Sequence, residues 1–114
     1  MEIAAEHHLN LSYESKCGSP HGHNWIVTVH CQAEKLNKDG MVVDFADIKK
    51  NIHAVLDHSY MNDVLLVKGC RRINPTAENI AKWIWEQIPE CYKVKVKESK
   101  SNTAVYINVR QKQI

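Results

Sequence analysis

The order of patterns along the chain predicts an α+β fold, β-β-α-α-β-β, on three observations. Trp25, Val27 and Val29 alternate with Asn24, Thr28 and His30, the period-two signature of a strand. The middle of the chain changes to helical spacing, with apolar residues three or four positions apart. After Pro89 the alternation returns, with Val94 and Val96 on one face and Lys93, Lys95 and Lys97 on the other.

The elements follow in order. Residues 2–9 form a short strand, and residues 10–22 hold the Ser, Gly and Pro of an irregular loop. The long strand over 24–33 leads to Asn37-Lys38-Asp39-Gly40, a turn signal, after which Met41-Val42-Val43 is expected to return as a second arm of a hairpin. Asp44 caps a helix whose apolar positions are Phe45, Ile48, Ile52, Val55 and Leu56. Asn74 at the N-cap, Pro75 at N1 and Glu78 in the first turn open a second helix, with Ala77, Ile80, Ala81, Ile84 and Ile88 on its apolar face. Strands over 93–98 and 103–109 close the chain, joined by a turn at Ser99 to Asn102.

Length and composition restrict the function classes. At 114 residues the chain is read as one domain spanning 1–114, without repeats or a low-complexity linker. Fifteen Lys+Arg against thirteen Asp+Glu give +2, which does not point to nucleic acid as a partner. No apolar run approaches the roughly 20 residues that cross a bilayer, and no signal-type segment opens the chain, so a cytoplasmic location is expected. Cys17, Cys31, Cys70 and Cys91 form no C-x-x-C pair, and free thiols are expected. Seven histidines in so short a chain direct attention to metal binding or proton transfer.

Cys17-Gly18-Ser19-Pro20-His21-Gly22-His23 is the strongest local feature. On an extended backbone His21 and His23 project to one side, and Gly22 keeps the space between them clear for an ion. A catalytic zinc needs a third protein ligand, for which His7 and His8 both qualify. Cys17 is either a fourth ligand closing a structural site or a thiolate beside the metal. Asp57-His58 closes the first helix, either as an acid–base pair or as a cap in which His58 meets the last carbonyls; the pair touches only if the helix has ended. Glu98 continues the row of Val94 and Val96, so it either ends a strand in solvent or awaits a cationic or NH-rich ligand. Lys68, Arg71 and Arg72 form a small cationic group, and Trp83 and Trp85 are assigned to the core or to a subunit contact.

Six segments taken together resemble the 6-pyruvoyltetrahydropterin synthase/QueD family: Ile3-Ala4-Ala5-Glu6-His7-His8-Leu9, Cys17-x-x-x-His21-Gly22-His23, Gly40-Met41-Val42-Val43-Asp44-Phe45, Leu56-Asp57-His58, Asn74-Pro75-Thr76-Ala77-Glu78 and Lys97-Glu98. The resemblance implies the tunnelling fold, a β-β-α-α-β-β subunit with an antiparallel sheet that joins others into a β-barrel, as a homohexamer of two trimers. It implies zinc held by His7, His21 and His23, and catalysis by Cys17 with Asp57 and His58 in a triad completed between subunits. Glu98 becomes the anchor of the pterin ring.

Within that resemblance, three residues between the thiol and His21 match the 6-carboxytetrahydropterin synthases of queuosine biosynthesis, whereas five are typical of the pyruvoyl-forming branch. Glu at the thiol position would mark a hydroxymethylpterin branch. The implied reaction converts dihydroneopterin triphosphate to 6-carboxytetrahydropterin with release of acetaldehyde and triphosphate. A pyruvoyl- or hydroxymethyl-forming pterin enzyme and a non-catalytic zinc- and pterin-binding homologue are the alternatives. The chain departs from the family pattern with Ile3 for Phe, Ser99 for Thr and a short first strand.

Overall fold

A computed structural model describes residues 1–67 and 71–110, so Lys68 and Cys70 lie outside the described residues. Two strands open the chain, β1 (Glu2–His7) and β2 (His21–Cys31), with a 3₁₀ turn at Lys16–Gly18 between them. The helical region comprises α1 (Phe45–Ile48), a π-helical segment (Lys49–His53), α2 (Ala54–Leu56) and α3 (Met61–Val64). A two-residue ladder, β3 (Leu66–Val67) with β4 (Arg71–Arg72), precedes α4 (Ala77–Gln87), β5 (Cys91–Lys97) and β6 (Thr103–Ile107). The expected order of major elements holds; α3 and the β3–β4 ladder are additions.

The main sheet is antiparallel with order β1-β2-β5-β6. β2 is long enough to serve two neighbours in succession: residues 21–26 pair with β1, and 26–31 pair with β5 on the other edge. It starts three residues before the expected boundary, so His21 and His23 are strand residues. One face of the sheet carries Ile3, Ala5, Trp25, Val27, Val94 and Val96 against Ile48, Ile52, Leu56, Ile80 and Ile84 from the helices. Each of the buried Val, Ile and Leu side chains contributes about 1.5–3 kcal/mol of transfer free energy. The opposite face leaves Ile26, Val105 and Ile107 exposed.

The π segment has a packing reason. Ile48, Ile52 and Leu56 are buried at a strict four-residue spacing, which on a regular α-helix drifts by about 80° over two steps. One wider turn brings the three back into line beneath the sheet. Phe45 and Val55, expected on the apolar face, fall outside that line and are exposed.

Two local expectations are corrected. Met41 to Val43 is not a strand. The side-chain oxygen of Asn37 accepts from the amides of Asp39 and Met41, and Gly40 adopts φ 81°, so the turn closes on itself. The edge of β2 along residues 26–31 that pairs in this sheet is already taken by β5, and Val43 packs on the core instead of joining a ladder. The cap of α4 is Thr76, whose hydroxyl accepts from Asn79 N at 3.1 Å, and not Asn74. Asn74 is occupied elsewhere: its amide accepts from Asn10 N and donates to Asn10 O, tying the loop after β1 to the start of the helix.

A candidate metal centre and a proton-transfer pair

The register of β1 on β2 builds the first half of the site. His7 lies opposite His21 and Ala5 opposite His23, so alternation sends all three imidazoles to the helix-covered face, beside Trp25. Ring centroids are 4.5 Å apart for His7–His21, 5.2 Å for His7–His23 and 5.0 Å for His21–His23. His7 is fully buried, and His21 and His23 are half-buried. Glu98, one residue past β5, continues the Val94–Val96 row into this group, and ligand atoms of His7, His21, His23 and Glu98 all lie within 4.8 Å of one another. Glu98 therefore does not end the strand in solvent.

The orientation of the rings is fixed from behind. His7 Nδ1 meets Pro75 O at 2.8 Å, and His21 Nδ1 meets Ser19 O at 2.8 Å. A carbonyl only accepts, so both Nδ1 atoms carry the proton and both Nε2 lone pairs are left free. The Nε2 atoms of His7 and His23 are buried without a hydrogen bond. Glu98 Oε1 stands 3.1 Å from His23 Nε2 as an ionic neighbour, outside hydrogen-bonding geometry. Burial is the largest influence on His7 and lowers its pKa, keeping the ring neutral as a ligand must be. Orphaned buried nitrogens cost about 1–3 kcal/mol each, and a coordinated cation removes that cost. The donor set, three imidazoles and a carboxylate, fits zinc.

The arrangement bears on several of the expected ligands. His7, not His8, joins the cluster; His8 points to the other face. Cys17 is not among the four clustered residues, which removes the closed Cys-ligated arrangement. Gly22 does not clear space for the ion: a Cβ there would meet Glu6 Cγ at 3.5 Å and Ala5 O at 3.9 Å, in ordinary contact.

The second half is the turn after α2. Asp57 is extended (φ −64°, ψ 131°) and His58 takes φ 59°, a conformation sparsely populated by residues other than glycine. The helix has ended, and the adjacent side chains do meet: His58 Nε2 is 3.4 Å from Asp57 Oδ2. Asp57 Oδ1 accepts from Ala4 N at 2.9 Å and His58 N donates to Ala4 O at 2.6 Å, so β1 holds the turn in place. The Ala4 amide, foremost, with His58 and His53 beside it, holds the Asp57 carboxyl below its ordinary range. His53 lies 3.8 Å from Oδ2, and its four-residue spacing from Asp57 is the sequence signal for that contact. The His58 side chain is 83% exposed and opens onto a cavity of about 580 Å³ lined also by Glu6, Asn24, Ser59 and Tyr60.

Cys17 sits in the 3₁₀ turn, half-buried, with Ser15 Oγ accepting from its amide and Leu9 N donating to its carbonyl. Among the described residues no hydrogen bond or ion pair joins Cys17 to Asp57 or His58. Cys31 and Cys91, also free thiols, face each other across β2 and β5, and burial with the neighbouring Cys91 pushes the Cys31 thiol up to about 11. A raised pKa lowers the thiolate fraction of both at neutral pH. Arg72 is paired with Asp63 at 2.9 Å, and Trp83 and Trp85 pack against the core.

Comparison with known proteins follows the same line. The chain is 29% identical over 117 residues to 6-carboxy-5,6,7,8-tetrahydropterin synthase of Bacillus subtilis, covering 93% of this chain and 80% of that one. It is 35% identical over 111 residues to human 6-pyruvoyl tetrahydrobiopterin synthase, covering 85% and 74%. The solved structure of Caenorhabditis elegans 6-pyruvoyl tetrahydropterin synthase superposes with TM-score 0.70 at 25% identity, covering 96% of this chain and 91% of that one. With residues 1–108 matching the family described as 6-pyruvoyl tetrahydropterin synthase, the chain belongs to that enzyme family.

Proposed function

We propose that this protein is a zinc-dependent 6-carboxytetrahydropterin synthase, a single domain over 1–114 that converts dihydroneopterin triphosphate to 6-carboxytetrahydropterin with release of acetaldehyde and triphosphate. The observation that carries the reading is the convergence of His7, His21 and His23, two of them with Nδ1 tied to a carbonyl and Nε2 turned inward. Relatives named for the carboxy and the pyruvoyl product match at similar identity, so overall similarity does not choose the branch. The three residues between Cys17 and His21 favour the carboxy branch.

His7, His21 and His23 hold the zinc, which when bound supplies Lewis acidity toward the oxygens of the substrate side chain. Glu98, beside them, accepts hydrogen bonds from the NH edge of the pterin and fixes the ring. Cys17, as thiolate, removes a proton from the substrate side chain, and His58 gives or accepts another. Asp57 orients the His58 ring and stabilises its protonated form. That no hydrogen bond or ion pair joins Cys17 to the Asp57–His58 pair among the described residues supports a site assembled from two copies, in a homohexamer of two trimers whose sheets join as a barrel. The setting is cytoplasmic queuosine biosynthesis.

Incubation of the zinc-loaded protein with dihydroneopterin triphosphate, followed by mass spectrometry, tests the reading. Carboxytetrahydropterin and acetaldehyde are expected. A pyruvoyl or hydroxymethyl product would move the chain to another branch, and binding without turnover would make it a pterin-binding homologue.

A further inference from the structure

The cavity beside His58 has a second polar wall that the proposed chemistry does not use. Tyr60 lines it, half-buried, and its ring stacks on His8 with centroids 5.7 Å apart and planes inclined by 30°. Its hydroxyl is hydrogen-bonded to His8 Nδ1. The direction of that bond follows from Asn62, a side chain 5% exposed. Asn62 Oδ1 accepts from His8 N at 2.9 Å and Asn62 Nδ2 donates to His8 O at 3.0 Å, which settles which end of the amide is nitrogen. The same Nδ2 lies 3.5 Å from His8 Nε2. Only a lone pair faces an NH₂ group favourably, so Nε2 is unprotonated and the neutral ring carries its proton on Nδ1. His8 Nδ1–H then donates to the Tyr60 oxygen, and the phenol keeps its own proton for another acceptor.

We propose that Tyr60 is a substrate-contacting hydrogen-bond donor in the His58 cavity, its hydroxyl oriented by His8 and Asn62 toward an oxygen of the substrate side chain. This rests on the pterin reading for the identity of the substrate. The ligand chemistry is a hydroxyl, alkoxide or carbonyl oxygen on a short chain attached to the pterin. A donor whose position is fixed before the substrate arrives stabilises negative charge developing on such an oxygen without reorganisation. Tyr60 thereby gives the wall that carries His58 a means of telling a side-chain-bearing pterin from a bare one.

Tyr60→Phe is the test, since it keeps the stacked ring and removes only the hydroxyl. Zinc content and the thermal melt of the variant are expected to match the parent. Neopterin, which carries the hydroxylated side chain, should bind about tenfold more weakly to the variant, and unsubstituted pterin with unchanged affinity. Turnover of dihydroneopterin triphosphate should fall at least as far, in kcat more than in KM. Equal affinities of variant and parent for neopterin, or an equal loss for both ligands, would overturn the inference. So would ¹⁵N spectra showing the neutral His8 ring protonated on Nε2, a readout independent of any ligand. If the parent makes a different pterin product while Tyr60→Phe still weakens neopterin alone, the product assignment fails and the role of Tyr60 stands. If the parent makes carboxytetrahydropterin and the variant does so at full rate, Tyr60 fails alone.

Discussion

The histidine cluster and the Asp57–His58 turn are both built on β1, yet one is finished within the chain and the other is not. His7, His21 and His23 stand on the buried face of a two-strand ladder, two of them held from behind by the carbonyls of Pro75 and Ser19. His58 has a positive φ, an exposed side chain and a single carboxylate neighbour within the turn. Among the described residues no hydrogen bond joins Cys17 to it, and on the proposed reading the thiol of its site comes from a second copy. On the proposed reading, a metal centre is assembled by two paired strands, whereas the proton-transfer site needs a second surface.

The largest effect is expected where the finished region is broken. His23→Ala removes one imidazole from the convergent set, and with it one edge-on ring contact of Trp25, while His7 still packs on Trp25. Zinc retained after gel filtration should drop to background, and turnover with it, while the far-ultraviolet circular dichroism is unchanged. Retention of stoichiometric zinc would show that Glu98 and two histidines suffice, and the assignment of three imidazole ligands would fail.

The unfinished region is broken next. Cys17→Ala and His58→Ala should each lower kcat by about 10²–10⁴ without loss of zinc. If the thiol of one copy works with the dyad of another, unfolding the two variants together and refolding them as a mixture should restore activity. In a symmetric ring assembled at random, about a quarter of the sites would pair an intact Cys17 with an intact dyad. No recovery in verified mixed oligomers would place the whole triad within one chain and remove the difference between the regions.

How much of each region was legible in the sequence follows from the range of the forces that build it. His21 and His23 could be paired because an extended backbone has period two, whereas the choice of His7 over His8 came from the family resemblance and is seen in the register of β1 on β2. The row leading to Glu98 was legible from the same period. The carbonyls behind the rings were not, since Pro75 and Ser19 reach them through tertiary contacts that no local pattern records. The cap of α4 moved to Thr76 because Asn74 was drawn to Asn10, sixty-four residues away. The expected hairpin arm at Met41 to Val43 failed because the Asn37 side chain and Gly40 close the turn on itself, which alternation does not record. Whether Asp57 and His58 touch depended on the helix stopping at Leu56, a boundary fixed by the Ala4 amide and carbonyl and not by propensity. That Cys17 is the thiol to test came from its place beside His21-Gly22-His23; the surroundings that push the Cys31 thiol up are visible only in the fold.

A smaller effect sharpens the claim that the metal centre is set from behind. Thr76→Ala deletes the cap of α4, which should cost about 1 kcal/mol of stability, read from urea unfolding of the metal-free protein. The same change loosens the residue next to Pro75, whose carbonyl orients His7. Zinc affinity measured by competition with a chromophoric chelator should then weaken by up to about tenfold, as expected for a disturbed outer-shell contact. Lost stability with unchanged zinc affinity would mean that the ring is held by its burial alone.

The smallest effect separates what Asp57 does for the fold from what it does for His58. Its carboxyl lies below the ordinary 3.8, chiefly because the Ala4 amide donates to it. Between the lowered folded pKa and that of the unfolded chain, the unfolded state binds more protons, so stability rises with pH across this window. The contribution is fully present above about pH 4 and is lost as the pH falls through the folded value. Asp57→Asn keeps an oxygen to accept from Ala4 but does not titrate. Unfolding midpoints compared between pH 5 and pH 3 should therefore fall less steeply for the variant than for the parent. Turnover at neutral pH should fall far more than stability does, because an amide cannot stabilise a protonated His58. Equal pH slopes would show that the Ala4 contact stabilises the acid and the carboxylate alike, and a fully active variant would leave Asp57 as a clasp on β1 with no part in proton transfer.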